Sequence, residues 1–301
     1  MHSKDYLLPF LSLVGAMILW ASSFIAMKIA VSGFSPIAVV FGRMIIASLL
    51  FLLLWKNFRG LNVRRQDWKQ LIFMALCEPC LYFVFEAYAL KYTSATQAGM
   101  IVATLPVFVA VAAFFILRET LSLNMWIGFF VSALGVVMLS LGATVTENAP
   151  NPLLGNTLEV LAMVSATGYM ITAKSLSNRY SPLFITALQA WVGALFFLPL
   201  LAFTPGAIPD AFPHDASLAV VYLASVVTMG AYGMYNYGLS KLTAAQSTGF
   251  TNLIPVFTML MGFWFLGDRL TGTQFAASGL VLGGVIMTQV KLGRKKADVP
   301  A

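Results

Sequence analysis

The chain has 301 residues, of which 59% are hydrophobic and only 10% are charged. A soluble domain typically carries about 25% charged residues, so this composition excludes a soluble globular protein. The net charge of +7 would suit a nucleic-acid partner if the basic residues formed a patch. They lie instead in short segments between long apolar runs, which is typical of membrane orientation signals, and we expect no nucleic-acid partner.

Apolar runs follow one another along the whole chain, and each can cross a hydrocarbon core about 30 Å thick. Spanning segments satisfy their backbone hydrogen bonds as helices. We therefore expect an all-α integral membrane fold with ten transmembrane helices. The first run is too long for a signal peptide and lacks a small-residue cleavage site, so it counts as a span. The predicted spans are 7–27, 36–55, 70–90, 95–117, 122–142, 154–175, 182–203, 217–239, 246–266 and 272–291.

The distribution of basic residues predicts the orientation. With the N-terminus in the cytoplasm, most of the 18 Lys and Arg residues fall on the inner side, including a basic tail at 293–301. Lys28, Lys91 and Arg269 fall outside, and Arg43 lies within a span. This bias follows the positive-inside rule. It predicts an inner (plasma) membrane protein of bacterial type, with both termini cytoplasmic.

The third span, LCEPCLYFVFEAYAL, places two carboxylates within an apolar run. On a continuous helix Glu78, Tyr82 and Glu86 lie within about 80° of one another, and Pro79 is expected to bend the helix. Charged side chains inside a membrane are costly and mark solute or ion pathways. These three residues are therefore our first candidates for the translocation pathway.

Two roles remain open for the carboxylates. Each can hold a proton in apolar surroundings or neutralise a cationic solute beside aromatic faces. The structural alternatives for Glu78 are an interhelical hydrogen bond or an ion pair with Arg43. For Glu86 the structural alternative is an ion pair with Lys91 at the exterior surface. Arg43 itself either binds a solute carboxylate through its planar fork or pairs with one of the two acids. Glu159, near the outer end of the sixth span, is expected to be interfacial.

Aromatic and small polar residues of other spans could complete the pathway. The eighth span reads GAYGMYNYGL, and its tyrosines face several directions, so not all of them can reach one cavity. The alternative is that tyrosines belong to the interfacial belts of the membrane. The candidates are Trp20, Ser23, Tyr169, Tyr232, Tyr235 and Asn236.

The residue types of metal or catalytic sites do not gather in this sequence. Cys77 and Cys80 lie one turn apart, but a CxxC redox motif belongs near a βαβ pattern and a zinc site needs about four ligands. Both are expected to be buried thiols. His2 and His214 are far apart and unsuited to a catalytic constellation. We predict no metal, no cofactor and no enzymatic activity, with a membrane-embedded transferase as the disfavoured alternative.

The chain contains an internal repeat. Residues 88–138 align without gaps with 237–287, and earlier in the halves Lys28 aligns with Lys174 and Ser35-Pro36 with Ser181-Pro182. Five helices per repeat is an odd number, so the second copy must enter the membrane upside down. The predicted domains are 1–146 and 152–292, an inverted-repeat plan with a solute site near the membrane midplane.

The prolines of the repeat suggest hinge positions, and two glycines of the tenth span suggest a close helix contact. Pro106 and Pro255 occupy equivalent positions in the fourth and ninth spans, where proline tends to kink a helix. We predict that they are gating hinges, with static curvature as the alternative. Gly279 and Gly283 form a GxxxG motif, which favours close helix approach within the monomer or across a homodimer.

Short motifs recur in both copies of the repeat. The first copy contains Tyr92-Thr93-Ser94-Ala95, Leu105-Pro106-Val107-Phe108 and Arg118-Glu119-Thr120-Leu121, and the second contains Leu242-Thr243-Ala244-Ala245, Ile254-Pro255-Val256-Phe257 and Asp268-Arg269-Leu270. In these motifs the chain resembles the drug/metabolite transporter superfamily, specifically its ten-helix EamA-type members. The resemblance implies a central cavity lined by helices 1–4 and 6–9, with helices 5 and 10 peripheral. It also implies a solute among amino acids, nucleotide sugars, small organic cations and other metabolites.

Together these features predict a secondary active transporter that works by alternating access. The sequence has no nucleotide-binding loop of the GxxxxGK[ST] type, so a proton or solute gradient would supply the energy, with Glu78 or Glu86 as the proton carrier. With Arg43 as the only cation inside a span, amino acids or cationic metabolites suit the cavity better than phosphorylated sugars. Export is our first expectation, and uptake of a quaternary amine is the alternative. A channel is disfavoured, because ion filters usually come from rings of subunits.

Overall fold

The computed structural model describes residues 3–58, 62–117, 122–242, 247 and 250–289. Every regular element in these ranges is helical. The predicted basic tail at 293–301 and the motif Arg118-Glu119-Thr120-Leu121 lie outside them, as do the last three residues of the Leu242-Thr243-Ala244-Ala245 motif. Two shorter apolar helices are Phe250–Leu266 and Gly272–Met287. The described helices long and apolar enough to cross a membrane number seven: Leu7–Gly33, Pro36–Leu53, Arg65–Tyr92, Ala95–Ile116, Leu123–Leu141, Pro182–Phe203 and His214–Lys241.

The described part of the chain contains thirteen α-helices, and three π-helical segments adjoin them at Leu76–Leu81, Leu223–Ala231 and Gly262–Leu266. Short 3₁₀ turns lie at Trp55–Phe58, Arg65–Asp67 and Phe250–Asn252. The α-helices are α1 (Ser3–Gly33), α2 (Pro36–Leu53), α3 (Trp68–Ala75), α4 (Tyr82–Tyr92), α5 (Ala95–Val102), α6 (Leu105–Leu117), α7 (Leu123–Leu141), α8 (Pro152–Ser177), α9 (Pro182–Phe203), α10 (His214–Tyr222), α11 (Tyr232–Lys241), α12 (Leu253–Met261) and α13 (Gly272–Gln289).

The two Ser-Pro pairs begin helices in the same way. Ser35 caps α2 by accepting a hydrogen bond from the backbone N–H of Ala38 at 3.2 Å. Ser181 caps α9 by accepting one from Phe184, also at 3.2 Å. A serine hydroxyl satisfies an otherwise unpaired N–H at a helix start, and the following proline loses nothing there. The sequence pattern thus explains where both helices begin.

Two lysines each hold the end of a helix. Lys28 on α1 donates to two carbonyl oxygens at the end of α4, at 2.6 and 2.8 Å, and to the carbonyl of Asn148. Lys174 on α8 donates to two carbonyl oxygens at the end of α11, both at 2.7 Å. Terminal carbonyls have no partner within their own helix, and a cation there also complements the helix dipole. Both lysines therefore fix a helix that carries residues predicted to line the pathway.

The helix of the third span is interrupted where the sequence predicts a bend. Within Leu76–Leu81, Glu78 has φ −148° and ψ 117°, which is not helical, and Pro79 follows it. The backbone carbonyl of Glu78, freed from helical pairing, accepts a hydrogen bond from Nε2 of Gln189 at 3.0 Å. The predicted bend is therefore present. The continuous helical face assumed for Glu78, Tyr82 and Glu86 is not, because Glu78 lies in the interruption.

Pro106 and Pro255 lie in the first turn of a helix rather than inside one. The fourth span divides into α5 and α6 at Ala103 and Thr104, just before Pro106. Helix α12 begins at Leu253, two residues before Pro255, after the 3₁₀ turn. A proline in the first turn removes no helical hydrogen bond. Both spans thus change conformation immediately before the proline instead of bending at a mid-helix kink.

Helices α7 and α13 pack against each other through two glycines. A Cβ on Gly135 would lie 2.7 Å from the backbone nitrogen of Val281, and one on Gly284 would lie 2.5 Å from that of Ser132. Any larger residue would force these helices apart. Gly279 and Gly283 have open space beside them. The prediction that their GxxxG motif brings helices together is therefore wrong within the monomer.

Candidate functional site

A small pocket lies at the centre of the helix bundle. Its walls come from α1, α2, the π-helical segment before α4, α4, α5, α6, α8, α11 and α12, together with the 3₁₀ turn at Phe250–Asn252. Helices α7 and α13, the predicted peripheral fifth and tenth spans, contribute no lining residue. The predicted pathway residues that line the pocket are Trp20, Ser23, Arg43, Glu78, Tyr82, Glu86 and Tyr232.

The volume of this central pocket is about 40 Å³. Pockets for organic ligands typically measure about 300–1,000 Å³, whereas a few water molecules fit the observed space. The bundle is therefore closed around its polar centre in this conformation.

Glu78 enters the central pocket from the interrupted part of the third span. Its carboxylate accepts a hydrogen bond from the hydroxyl of Tyr232 on α11. The Tyr232 ring packs edge-on against Trp20 of α1, with 5.2 Å between ring centroids. This arrangement ties an acid of the first half of the chain to an aromatic pair formed by α1 and α11.

Glu86 lies on α4 and is also buried. Its Oε1 accepts a hydrogen bond from the hydroxyl of Tyr82 at 2.9 Å. Its Oε2 has no hydrogen-bond partner in the described part of the chain and lies 3.9 Å from Nη1 of Arg43. Lys91 is exposed, and its ammonium lies 5.9 Å from the Tyr92 ring centroid. The alternative in which Glu86 pairs with Lys91 at the surface is therefore wrong.

Arg43 is 1% exposed and is positioned by three neighbours. Its Nε donates to Oγ1 of Thr228 at 2.8 Å, and its guanidinium carbon lies 4.0 Å above the Phe83 ring. The separation of 3.9 Å from Glu86 is too long for a hydrogen bond. Of the two pairings considered, Arg43 makes the one with Glu86, and only loosely.

Three other predicted residues form a layer behind the pocket wall. The Tyr169 hydroxyl donates to Oδ1 of Asn236 at 2.9 Å, and Nδ2 of Asn236 donates to Oγ1 of Thr186 at 2.9 Å. Tyr235 contacts Met170 through its hydroxyl, 2.7 Å from the sulfur, and its ring lies 4.8 Å from that of Trp20. All three are buried, yet none lines the central pocket. They position the residues that do.

Glu159 is the acid that sequence reasoning misplaced. It is 0% exposed, so the prediction that it lies at the membrane interface is wrong. Neither of its carboxylate oxygens has a hydrogen-bond partner among the residues that the structure describes. Only the fold shows its place, because Met163 and Ala166 on the same face of α8 line the central pocket.

The charges at the centre of the bundle do not balance if all groups are ionised. Three buried carboxylates, Glu78, Glu86 and Glu159, share one buried guanidinium, that of Arg43. An unpaired ionised carboxylate is strongly disfavoured in apolar surroundings. Among the described residues, no three acid, His or Cys side chains gather as metal ligands would. The arrangement therefore suits bound protons or an organic cation.

A larger cavity of about 370 Å³ lies away from Glu78 and Glu86. It lies between α6, α7 and α8 and is mostly apolar, with Ser132, Ser140 and Asn156 among its few polar side chains. Volume alone would favour this cavity as the solute site. We favour the smaller pocket, because the buried charges that could recognise a polar solute are there.

The sequence profile of the EamA-like transporter family matches the chain twice, over residues 7–141 and 153–290. The Bacillus subtilis protein named "Uncharacterized transporter YetK" is 29% identical over 98% of this chain and 90% of its own length. The Streptantibioticus cattleyicolor protein named "Probable terminal-alkyne amino-acid exporter" is 26% identical over 95% of each.

A solved crystal structure covers 95% of this chain and 96% of its own, with a TM-score of 0.66 and 19% identity. At that identity the likeness concerns the fold alone. The two family matches cover both halves of the described bundle, and the relatives span nearly the whole chain. With its buried acids and membrane-length helices, this chain belongs to the EamA-like transporter family, whose members are multi-pass membrane proteins.

Proposed function

We propose that the protein is a secondary active transporter that moves small amphipathic solutes by alternating access and couples their movement to protons. The observation that carries this proposal is the pair of buried acids Glu78 and Glu86 lining one central pocket with Arg43 as the neighbouring cation. Buried ionisable groups in membrane bundles typically serve as proton or ion carriers. Here a solute cation and a proton could replace each other without leaving a buried charge unpaired.

The proposed mechanism includes two inverted five-helix repeats, 1–146 and 152–292, with ten spans in total. Equivalent residues of the two halves make equivalent contacts, which supports this plan. Lys28 and Lys174 each hold a helix end, and Gly135 and Gly284 each approach the backbone of the other's helix. The family profile also matches each half separately. Inverted repeats place a solute site at the seam between halves, where the central pocket lies.

The closed pocket must open alternately toward the two ends of the bundle. At one end, Asp67 binds Arg179 and accepts a hydrogen bond from Tyr180 at 2.7 Å. At the other, Asp268 accepts a hydrogen bond from the Thr96 hydroxyl at 2.9 Å. Each contact joins the two halves of the chain, so we propose that breaking one set opens one entrance. Pro106 and Pro255 are the proposed hinges.

For the solute we propose an amino acid or a small organic cation, moved outward. Aromatic rings of Trp20, Phe83 and Tyr232 beside the acids would attract an ammonium group. One relative is named a terminal-alkyne amino-acid exporter, which supports an amino acid. The same rings and acids would also accept a quaternary amine, so uptake of such a cation is the second candidate. Reconstituted protein with solute on one side only would distinguish the two directions.

We propose that the protein lies in the inner membrane with both termini cytoplasmic, as the distribution of Lys and Arg predicts. In this orientation the Asp67–Arg179 contact faces the cytoplasm and the Thr96–Asp268 contact faces outward. Single cysteines introduced at exposed positions would test it in a variant lacking Cys77 and Cys80. A membrane-impermeant reagent on intact cells should label residue 150 and leave residue 65 unlabelled.

The experiment that tests the function begins with purified protein. Solutes that bind should raise its melting temperature by mass action, so amino acids and quaternary amines can be screened in parallel. Transport of a solute found in this way is then measured against pH in proteoliposomes. We expect a pH dependence that flattens in Glu78→Gln or Glu86→Gln. An unaltered pH profile in both variants would exclude these carboxylates as the coupling groups.

A further inference from the structure

Glu159 is a buried acid that has no role in the proposed function. Its side chain is 0% exposed, and both oxygens lack hydrogen-bond partners among the described residues. A buried polar group without a partner is rare in folded proteins and calls for an explanation. A charged carboxylate would be costly in this position, so Glu159 must spend time in its protonated form.

The position of Glu159 on α8 connects it to the central pocket. It lies one turn before Met163 and two turns before Ala166, both of which line that pocket. Residues three or four positions apart share a helix face, so Glu159 continues this face beyond the pocket. Helical side chains lean toward the N-terminus of their helix, which here is the end that carries Asn156.

A polar cluster begins one turn beyond Glu159. Nδ2 of Asn156 donates to Oε1 of Gln97 at 2.9 Å and to Oγ of Ser140 at 3.1 Å, and Oδ1 of Asn156 accepts from Thr93 at 2.7 Å. Asn156 and Ser140 also line the 370 Å³ cavity. Its rim includes the exposed side chain of Leu141. The polar cluster thus lies one helical turn from Glu159, beside a cavity whose lining includes an exposed residue.

The charged and titratable groups around Glu159 are few. From α4, Glu86 and Tyr82 interact electrostatically with it. Helices α5, α6, α7 and α9, which also pack against α8, carry no ionisable side chain. On α3, Lys69 is exposed. The π-helical segment and α11 also pack against α8. Their titratable side chains are Cys77, Glu78 and Cys80 on the π-helical segment and Tyr232, Tyr235, Tyr237 and Lys241 on α11. Among the residues that the structure describes, Glu86 is therefore the acid best placed to exchange a proton with Glu159.

We propose that Glu159 is a second acid of the transport pathway, which passes a proton between Glu86 and the polar cluster around Asn156. The proposal rests on proton-coupled transport and adds a residue and a route to it. In the step, the proton leaves the Glu159 carboxylic acid and binds the Glu86 carboxylate, directly or through a water molecule. Glu159 becomes ionised and Glu86 neutral, so the total charge of the pair does not change. A proton from external water, relayed along water molecules beside the cluster, then restores the Glu159 carboxylic acid.

Infrared difference spectroscopy on the purified protein in lipid tests whether Glu159 holds a proton, and it needs no solute. We expect wild-type protein to show the carbonyl stretch of a protonated carboxylic acid at neutral pH. Glu159→Gln should remove part of this band. In Glu86→Gln, the part of the band that belongs to Glu159 should titrate at a different pH. The matched control is Glu147→Gln, because Glu147 is exposed near the same end of α8. A band unchanged in Glu159→Gln would overturn the proposal.

Transport by the same variants separates this inference from the proposed function. We expect Glu159→Gln to slow proton-driven transport of labelled choline or propargylglycine about a hundredfold, as loss of a positioned acid does. Counterflow of the same solute, which needs no net proton movement, should stay within about twofold of wild type, and Glu159→Asp should restore part of the driven rate. If Glu86→Gln uncouples transport and Glu159→Gln does not, only this inference is wrong. Wild-type transport without proton movement would reject the proposed coupling itself.

Discussion

The hydroxyl of Tyr232 donates a hydrogen bond to the carboxylate of Glu78, across the seam between the two halves of the chain. Both groups are buried in the central pocket. Hydrogen bonds to ionised groups contribute about 1.5–3 kcal/mol each. This contact therefore fixes an acid of one half against an aromatic side chain of the other.

Removing that hydroxyl should weaken the site more than removing a similar one nearby. Tyr232→Phe is expected to lower the unfolding free energy by about 1–3 kcal/mol, because it leaves a buried carboxylate without its donor. Tyr237→Phe, on the same helix but outside the central pocket, is the control and should change it by less than about 0.5 kcal/mol. Thermal unfolding in lipid nanodiscs measures both. Equal losses of unfolding free energy would mean that the Tyr232–Glu78 hydrogen bond contributes no more to stability than the Tyr237 hydroxyl does.

The loose pair of Arg43 and Glu86 predicts a large coupling energy. Arg43→Gln leaves Glu86 without its neighbouring cation and should cost about 3–5 kcal/mol, as removal of one partner of a buried pair does. The double variant Arg43→Gln/Glu86→Gln should recover the part of this loss that comes from the unpaired carboxylate, but not the part that comes from the Thr228 and Phe83 contacts of Arg43. A double-mutant cycle from unfolding measurements gives the coupling directly. Additive losses would show that the two groups, 3.9 Å apart, act independently.

The lysines that hold helix ends should matter for stability in both halves. Lys28→Met and Lys174→Met each remove two or more charge-assisted hydrogen bonds to carbonyl oxygens. We expect a loss of about 1.5–3 kcal/mol in each. Lys91→Met, at an exposed position, should have little effect and serves as the control. A loss in only one half would argue against equivalent roles in the two repeats.

The proposed hinges should affect movement rather than solute binding. Pro106→Ala and Pro255→Ala allow α6 and α12 to extend by a residue or two toward the preceding segments. If conformational change limits turnover, the double variant should transport about tenfold more slowly while its solute still raises the melting temperature as in wild type. Full transport rates in the double variant would leave static curvature as the role of both prolines.

Much of this architecture follows from sequence because spans and repeats rest on simple rules. Apolar run length predicted the long helices, and the Ser-Pro pairs marked the starts of α2 and α9. Glu78 and Glu86 stood out because carboxylates are rare within apolar runs. We predicted their common pocket from a continuous helix. The helix is interrupted at Glu78, but both acids still line the same pocket, because the segments on the two sides of the interruption face it.

The remaining details depend on tertiary contacts that no local pattern encodes. Glu159 lies few residues from the predicted start of its span, and distance along the chain suggested an interface. The loop before it is held over the bundle, however, by the Lys28–Asn148 contact and the bond from Asn151 to Tyr92. Tyr235 and Asn236 were equally plausible pocket residues by helical spacing. Only the packing of α11 against α8 and α9 places them one layer behind the wall.

The most direct test of proton coupling at Glu78 and Glu86 is the pH inside sealed proteoliposomes while a solute gradient is applied. A pH-sensitive dye in the lumen reports proton movement, and labelled choline or propargylglycine reports solute movement. We predict that wild-type protein changes the lumenal pH as solute crosses, and that Glu78→Gln/Glu86→Gln abolishes this change. Solute movement by the wild-type protein with no change in lumenal pH, or unchanged proton movement in the double variant, would contradict the mechanism.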